Sequence, residues 1–200
     1  MQRIIKQMYI DFLNNIDDFI YQNMNMSCDD LHNLYFSFWG ILKEFKGGSA
    51  GFTGLSEYLI FRFMYIFLGK EFKIKALTKD MNEYEREDGL KLYSNVNIKV
   101  DNKIVCPDIV IESKNIMRVL SIKIYLSNGR KTLEDEFYKL KLLKDSKIDF
   151  RALVIIYVDG SSSIKNFITN YISQNTWLDC IFLENNKVHF NLFIENLLTT

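Results

Sequence analysis

The chain has 200 residues, of which 48% are hydrophobic and 14% aromatic, so it is long enough and apolar enough for one domain with a substantial core. Its 25 Lys and Arg side chains balance 25 Asp and Glu side chains, which excludes an overall field that would draw the whole chain to nucleic acid or acidic membranes. Any nucleic-acid site must therefore be local.

The cysteines and the charged N-terminal segment indicate in which cellular compartment the protein is expected. Cys28, Cys106 and Cys180 form no CxxC pair and are odd in number, which favours reduced thiols. The start MQRIIKQMYIDFL carries charges through the stretch where an export signal would be apolar. We therefore expect a cytoplasmic protein.

Helices are predicted for the first part of the chain. Apolar residues recur at helical spacing over residues 2–23, and a second helix is predicted from Ser27 or Asp29 through LHNLYFSFWGILKEF. The Gly-rich segment GGSAGFTG, residues 47–54, lacks the GK[ST] ending of a phosphate-binding loop. We interpret it as a linker.

A third helix is predicted over residues 55–68, with Thr53 or Ser56 as its cap. Its run YLIFRFMYIFL is too short to span a bilayer and is interrupted by an arginine, so we expect a buried helix and no membrane contact. The boundary falls before this helix. An N-terminal helical part, residues 1–46, precedes an α/β domain, residues 53–200.

A three-strand meander is predicted after the polar, acidic segment 78–90, which reads as a loop or a short helix. NVNIKV alternates over residues 95–100, and the Asp-Asn pair at 101–102 suits a two-residue hairpin turn. KIVCPDIVIE is the second strand, residues 113–115 form a turn, and IMRVLSIKIYL is the third strand. The order is that of an antiparallel sheet.

The remainder alternates helix and strand. Thr132 begins a Thr-x-x-Asp capping pattern for a helix to about residue 144. RALVIIYV, residues 151–158, is continuously apolar, as expected of a strand buried on both faces. A helix over 162–174 and a hairpin, IFLENNKVHF, follow. A right-handed crossover through the first of these helices would join the meander to the buried strand in a mixed sheet.

The predicted register brings an acid and a lysine together. With the turn at 113–116, facing residues have numbers that add to about 229, so Asp108 faces Ser121 and Lys123 lies two residues further on the same face. The Pro-Asp pair ending at Asp108 and the Ser-Ile-Lys run ending at Lys123, in this element order, resemble the PD-(D/E)xK nuclease superfamily with its restriction-endonuclease-like fold. The resemblance covers roughly residues 53–158.

This resemblance implies hydrolysis of DNA phosphodiester bonds with Mg²⁺ or Mn²⁺. A carboxylate such as Asp108 holds a hard cation, and a lysine such as Lys123 orients water or offsets transition-state charge. Ser121, however, stands where the family has a second acid. A second carboxylate must come from elsewhere.

Glu136 is the candidate for the second acid. One branch of restriction endonucleases, which includes enzymes that cut CCGG-type sites, has Ser-x-Lys and takes its acid from the following helix. Here twelve residues separate Lys123 from Glu136. The resemblance implies Asp108, Lys123 and Glu136 as catalytic residues, with Asp108 and Glu136 as metal ligands. We expect their two carboxylates within about 8 Å of each other, since each would lie ~2.0–2.6 Å from a shared ion after modest rearrangement.

The position of Glu136 on its helix supports this assignment. At about 100° per residue it falls inside the apolar stripe, a costly place for an uncompensated carboxylate. The stripe consists of Leu133, Phe137, Leu140 and Leu143.

Further residues are expected around the site. Similar nucleases often add an acid from the helix before the meander, so Glu57 is expected to bind the metal through water. Arg130, Lys131 and Lys139 are expected to contact phosphates of double-stranded DNA. The Arg-rich segment that reads CCGG in the resembled branch has no clear match, so no target sequence is carried over. We expect a homodimer of restriction or defence type that cuts both strands.

Each of these residues also has an ordinary structural interpretation. Lys123 can extend from an apolar strand, Glu57 and Glu136 are acids near helix starts, and Glu136 can pair with Lys139. The alternative hypothesis is therefore a nuclease-fold module that no longer cuts and serves DNA binding or protein assembly. The second acid distinguishes the two.

Overall fold

The computed structural model describes residues 2–46, 54–69, 73–77, 82–85, 87–114, 116–124, 129–158 and 160–199. Within them the chain is α/β, with six helices and nine strands. The helices are α1 (Gln2–Gln22), α2 (Cys28–Lys46), α3 (Leu55–Phe67), α4 (Arg130–Ser146), α5 (Ser162–Gln174) and α6 (Phe190–Thr199). The strands are β1 (Lys73–Leu77), β2 (Asn82–Glu85), β3 (Lys91–Ser94), β4 (Ile98–Val100), β5 (Lys103–Val105), β6 (Ile109–Ser113), β7 (Ile116–Lys123), β8 (Phe150–Ile156) and β9 (Leu178–Phe182).

A mixed sheet of seven strands organises the described chain, in the order β1-β2-β3-β6-β7-β8-β9. The strands from β1 to β7 pair antiparallel, whereas β7, β8 and β9 run parallel to one another. Helix α4 connects β7 to β8. The predicted crossover from the meander through this helix to the buried strand is therefore confirmed.

The register of β6 against β7 also agrees with the prediction. The ladder runs from Ile109 opposite Leu120 to Ser113 opposite Ile116. Lys114, in the turn between these strands, has a φ of 48°, in the left-handed region that tight turns require. This register fixes which side chains of β6 and β7 share a face.

Alternate side chains of β8 pack into two separate hydrophobic cores, one on each face of the sheet. Ala152, Val154 and Ile156 pack with buried residues of α4 and α5. Leu153 and Ile155 pack with residues of the other four helices. The continuous apolar run thus marks a strand covered on both faces, as predicted.

The N-terminal helices form part of one of these covering layers. Ile16 and Ile20 of α1 lie in the same core as Leu31 of α2 and the buried face of α3. Arg62, the charge inside the apolar α3, makes a two-pronged ion pair with Asp17 of α1, at 2.6 and 2.7 Å. None of the described helices combines the length and apolarity needed to cross a membrane.

The start of the meander differs from the prediction. Its first strand is β3, whereas the predicted strand at 95–100 contributes only to the separate β4–β5 hairpin. The predicted strand at 103–112 breaks at 106–108, where Pro107 has no N–H to donate to a ladder. Residues 82–85, inside the predicted loop, form β2. Strands this short and polar carry no clear alternation.

The predicted C-terminal hairpin is wrong. β9 pairs parallel with β8, and α6 follows it. The segment does alternate locally, but six of the seven residues of β8 are buried, and β9 pairs along the edge of this buried strand. Two predicted caps are also wrong. Gly129 precedes α4, so Thr132 lies inside it, and Gly54, with φ 104°, precedes α3, so Ser56 lies inside that helix. Thr53 and most of the predicted linker fall outside the described residues.

Candidate active site

The candidate site lies at one end of two inner strands of the sheet, β6 and β7. Asp108 immediately precedes β6, and Lys123 is the last residue of β7. Because these strands are antiparallel, the beginning of β6 and the end of β7 lie side by side at the same end of the ladder. Alternation turns Ser121 and Lys123 toward α4, because their neighbours Leu120 and Ile122 enter the opposite core.

Lys123 joins the two predicted acids. Its Nζ lies 3.2 Å from Glu136 Oε2 and 3.9 Å from Asp108 Oδ2. The two carboxylate oxygens are therefore no more than about 7 Å apart, which is inside the expected limit. The exposed fractions of the three side chains are 20% for Lys123, 24% for Asp108 and 10% for Glu136. The structure thus brings these residues into one shielded cluster.

Glu136 is buried on the apolar stripe of α4, as predicted, with 8% of the residue exposed. The fully buried Ser121 donates a hydrogen bond from Oγ to Glu136 Oε1 at 2.6 Å. Lys139 places its Nζ 3.9 Å from Glu136 Oε2. The serine and the two lysines together compensate the buried carboxylate, so the predicted pairing with Lys139 and the contact with Lys123 are both present.

Asp108 is held by the backbone of the neighbouring strand. The N–H of Ile122 donates to Asp108 Oδ2 at 2.6 Å. Burial raises the pKa of Asp108 from 3.8 to about 6, although Lys123 and the Ile122 N–H act in the opposite direction. The charges of Glu57 and Glu136 raise this pKa further. A buried carboxyl group whose pKa is raised to about 6 beside other charged side chains is typical of a functional site.

Glu57 acts on the site electrostatically, from a helix that packs on the other face of the sheet. It lies in the first turn of α3 and accepts a hydrogen bond from Ser56 Oγ at 3.1 Å. Its charge raises the pKa of Asp108. The structure therefore places Glu57 within electrostatic range of the cluster, and its predicted contact with a metal through water stays a prediction.

Tyr157 was not singled out from the sequence. This fully buried residue follows β8, and its hydroxyl donates to the Ser56 carbonyl at 3.1 Å. Its ring lies 4.6 Å from that of Tyr35. Burial raises the pKa of Tyr157, and the charge of Glu57 raises it further. Tyr157 thereby connects the start of α3, which carries Glu57, to the end of β8. A tyrosine in the second-last position of the apolar run RALVIIYV was the available signal.

The predicted DNA-contacting residues separate into two groups. Lys139 lies beside Glu136 in the cluster. Arg130 pairs instead with Glu134 at 3.0 Å, and its guanidinium lies 5.0 Å from the ring centre of Phe167 on α5. Lys131 is exposed on the first turn of α4.

A divalent ion would have two carboxylates in this cluster. In the part of the chain that the structure describes, no group of three or more His, Cys, Asp or Glu side chains is arranged to hold a metal. Magnesium, however, keeps several waters and is usually held by one or two carboxylates together with substrate phosphates. The oxygen donors of Asp108 and Glu136 fit that mode of binding.

Comparison with family models, with curated proteins and with solved structures gives no match for this chain. Its function is therefore inferred from the residues themselves.

Proposed function

We propose that this protein is a Mg²⁺- or Mn²⁺-dependent endonuclease that hydrolyses DNA phosphodiester bonds and has a restriction-endonuclease-like core. The supporting observation is the hydrogen bond from Ser121 to Glu136 beside Lys123. A Ser-x-Lys strand coupled to an acid on the next helix is the arrangement expected when that acid replaces the missing carboxylate.

Each residue of the cluster has a distinct role in this proposal. Asp108 and Glu136 would hold the ion, which when bound supplies Lewis acidity and lowers the pKa of a water. Lys123 donates to the attacking water or to a phosphate oxygen and offsets developing negative charge. Ser121 fixes the orientation of Glu136 through its 2.6 Å hydrogen bond. The proposed assembly is a homodimer on double-stranded DNA, in which two such sites cut opposite strands.

A second candidate function is a nuclease-fold module that binds DNA or assembles with protein but does not cut. One observation favours it. The buried charge of Glu136 is already compensated by Ser121, Lys123 and Lys139, so the cluster is electrostatically complete without an ion. A purely structural cluster would have the same contacts.

Cleavage of a supercoiled plasmid distinguishes the two candidates. We expect the purified protein to nick and linearise the plasmid with Mg²⁺ or Mn²⁺ and to be inactive with EDTA. Glu136→Gln should abolish cleavage. The matched control is Glu134→Gln, which changes an exposed acid two residues away on the same helix and should leave cleavage intact. Absence of cleavage by the parent protein in both metals, with no calorimetric metal binding, would support the non-cutting module.

A further inference from the structure

A groove of about 430 Å³ lies beside the candidate site, between β5 and the outer face of α4. Lys103 and Ile104 contribute to one wall, and Asp135, Tyr138 and Lys139 contribute to the other. Ile104 is 68% exposed and Tyr138 51% exposed. The groove is therefore open to a large ligand rather than enclosed around a small one.

Both walls of the groove lead directly to the cluster. On one wall the chain passes from the end of β5 at Val105 to Asp108 within three residues. On the other, Lys139 lines the groove and also places its Nζ 3.9 Å from Glu136 Oε2. A polymer bound at the cluster could continue into this groove without leaving the surface.

The chemistry of the groove suits a phosphate backbone. The Lys103 ammonium donates to the Tyr138 hydroxyl and lies 4.6 Å from the centre of the tyrosine ring. This contact holds an ammonium and a phenol side by side, where both can donate to one phosphate oxygen. Lysines outnumber acids among the described lining residues, with Lys103 and Lys139 against Asp135.

A larger groove, of about 910 Å³, lies where α1 meets α2, and it lacks these properties. No Lys or Arg is among the described residues that line it. Its carboxylate, Asp30, already accepts a hydrogen bond from Ser27. Phosphate recognition is therefore favoured at the β5–α4 groove.

We propose that the β5–α4 groove holds the sugar–phosphate backbone of the cleaved DNA strand, next to the scissile phosphate, through Lys103 and the Tyr138 hydroxyl. This proposal rests on the proposed function and identifies where its substrate continues. The contacts are to the backbone and carry no base readout, so they contribute affinity and positioning. They should also make binding sensitive to salt.

The test is fluorescence anisotropy of a labelled DNA duplex, measured in EDTA over a series of salt concentrations. Lys103→Ala should weaken binding about tenfold at low salt and reduce the slope of log K against log salt by about 0.9, the value for one lost phosphate contact. Tyr138→Phe keeps the ring and removes the hydroxyl, so we expect a smaller loss of about threefold, as for one hydrogen bond of ~0.7 kcal/mol. Lys147→Ala is the matched control, because this exposed lysine follows α4 at its far end.

The outcomes separate this proposal from the proposed function. Equal effects of Lys103→Ala and Lys147→Ala, or no DNA binding by the parent protein, would overturn the groove assignment, whether or not the protein cuts DNA. A selective loss in Lys103→Ala without any cleavage by the parent would support the groove as a binding site for the DNA backbone and reject the nuclease. Circular dichroism establishes that each variant is folded.

Discussion

Strand β7 buries charge near both of its ends, and the two sites differ in kind. Near its start, Arg118 is 4% exposed and donates to the carbonyls of Leu197 and Leu198, the latter at 2.6 Å. At its end, Lys123 lies between Asp108 and Glu136. The first site satisfies one cation with backbone oxygens, whereas the second gathers several ionisable side chains.

The contrast shows that a buried charge alone does not indicate function. Arg118 caps the carbonyl end of α6, where a helix has unpaired acceptors and a negative dipole end. Burial lowers its pKa, and the charge of Arg151 lowers it further. The Lys123 site instead holds an acid, Asp108, whose pKa burial raises to about 6. A group that titrates near neutrality is suited to chemistry, whereas a permanently charged guanidinium is suited to fastening a helix.

The largest predicted effect is a difference in cleavage activity between methionine substitutions near the two ends of β7. In the proposed nuclease, Lys123→Met should reduce cleavage by at least about 100-fold, because it removes the charge that we propose offsets the transition state. Arg118→Met, about 16 Å away at 3.3 Å per residue, should leave cleavage within a few-fold of the parent. Plasmid cleavage under conditions where both variants are folded measures this. Similar losses of activity in the two variants would remove the distinction.

The pH dependence of stability should reveal the burial of Asp108. Asp108 binds its proton more tightly in the folded state than in the unfolded state, so between pH 3.8 and about pH 6 the folded state carries more of this proton. The contribution of Asp108 to stability therefore decreases as the pH rises through this range and is constant above it. Asp108→Asn lacks this titration. The variant should therefore be more stable than the parent at pH 7, by up to about 3 kcal/mol, and the difference should shrink toward pH 4.

Urea unfolding of the parent and of Asp108→Asn at several pH values provides the measurement. Asparagine keeps an oxygen that can accept from the Ile122 N–H, so the hydrogen bond is preserved in the comparison. A variant that is less stable than the parent at pH 7, or a difference independent of pH, would contradict the assignment of a buried, perturbed carboxyl.

At Arg118 we expect substitution to reduce the stability of the protein while changing its cleavage activity little. Arg118→Met removes two hydrogen bonds to the end of α6, and we expect a loss of about 2 kcal/mol. Hydrogen exchange should localise the effect as faster exchange in α6. If exchange in α6 does not change, the guanidinium does not fasten this helix.

The smallest effect is expected for Ser121→Ala. It removes the hydroxyl that orients Glu136 without removing a charge, so cleavage should fall about tenfold and should partly recover at higher metal concentration. Ser121→Thr, which restores a hydroxyl, is the matched variant if the buried site admits the added methyl group. A loss in Ser121→Ala as large as in Glu136→Gln would indicate that the serine acts directly.

Long-range pairing in the centre of the molecule was readable from the sequence. The turn between β6 and β7 fixed a register, and the register together with the stripe of α4 brought Asp108, Lys123 and Glu136 together. These inferences succeed because strand alternation and helix periodicity are geometric, and because a tight turn sets the register of the two strands that it joins.

Other elements were not predictable in this way. β9 joins the edge of β8 instead of forming a hairpin, since the choice depends on which sheet edge is open, a property of the folded molecule. Tyr157 ties Glu57 to the site through a hydrogen bond that joins residues 101 positions apart. The groove needs β5 beside α4, although β5 was predicted as part of a longer strand.

The proposed metal site can be observed directly in a crystal structure of the protein soaked in Mn²⁺, from the anomalous signal of the ion. We expect one peak that lies about 2.0–2.6 Å from a carboxylate oxygen of Asp108 and of Glu136, with Lys123 displaced from its present contacts with both acids. An absent peak at millimolar Mn²⁺, with the Lys123 ammonium still paired with both carboxylates, would contradict the proposed metal site.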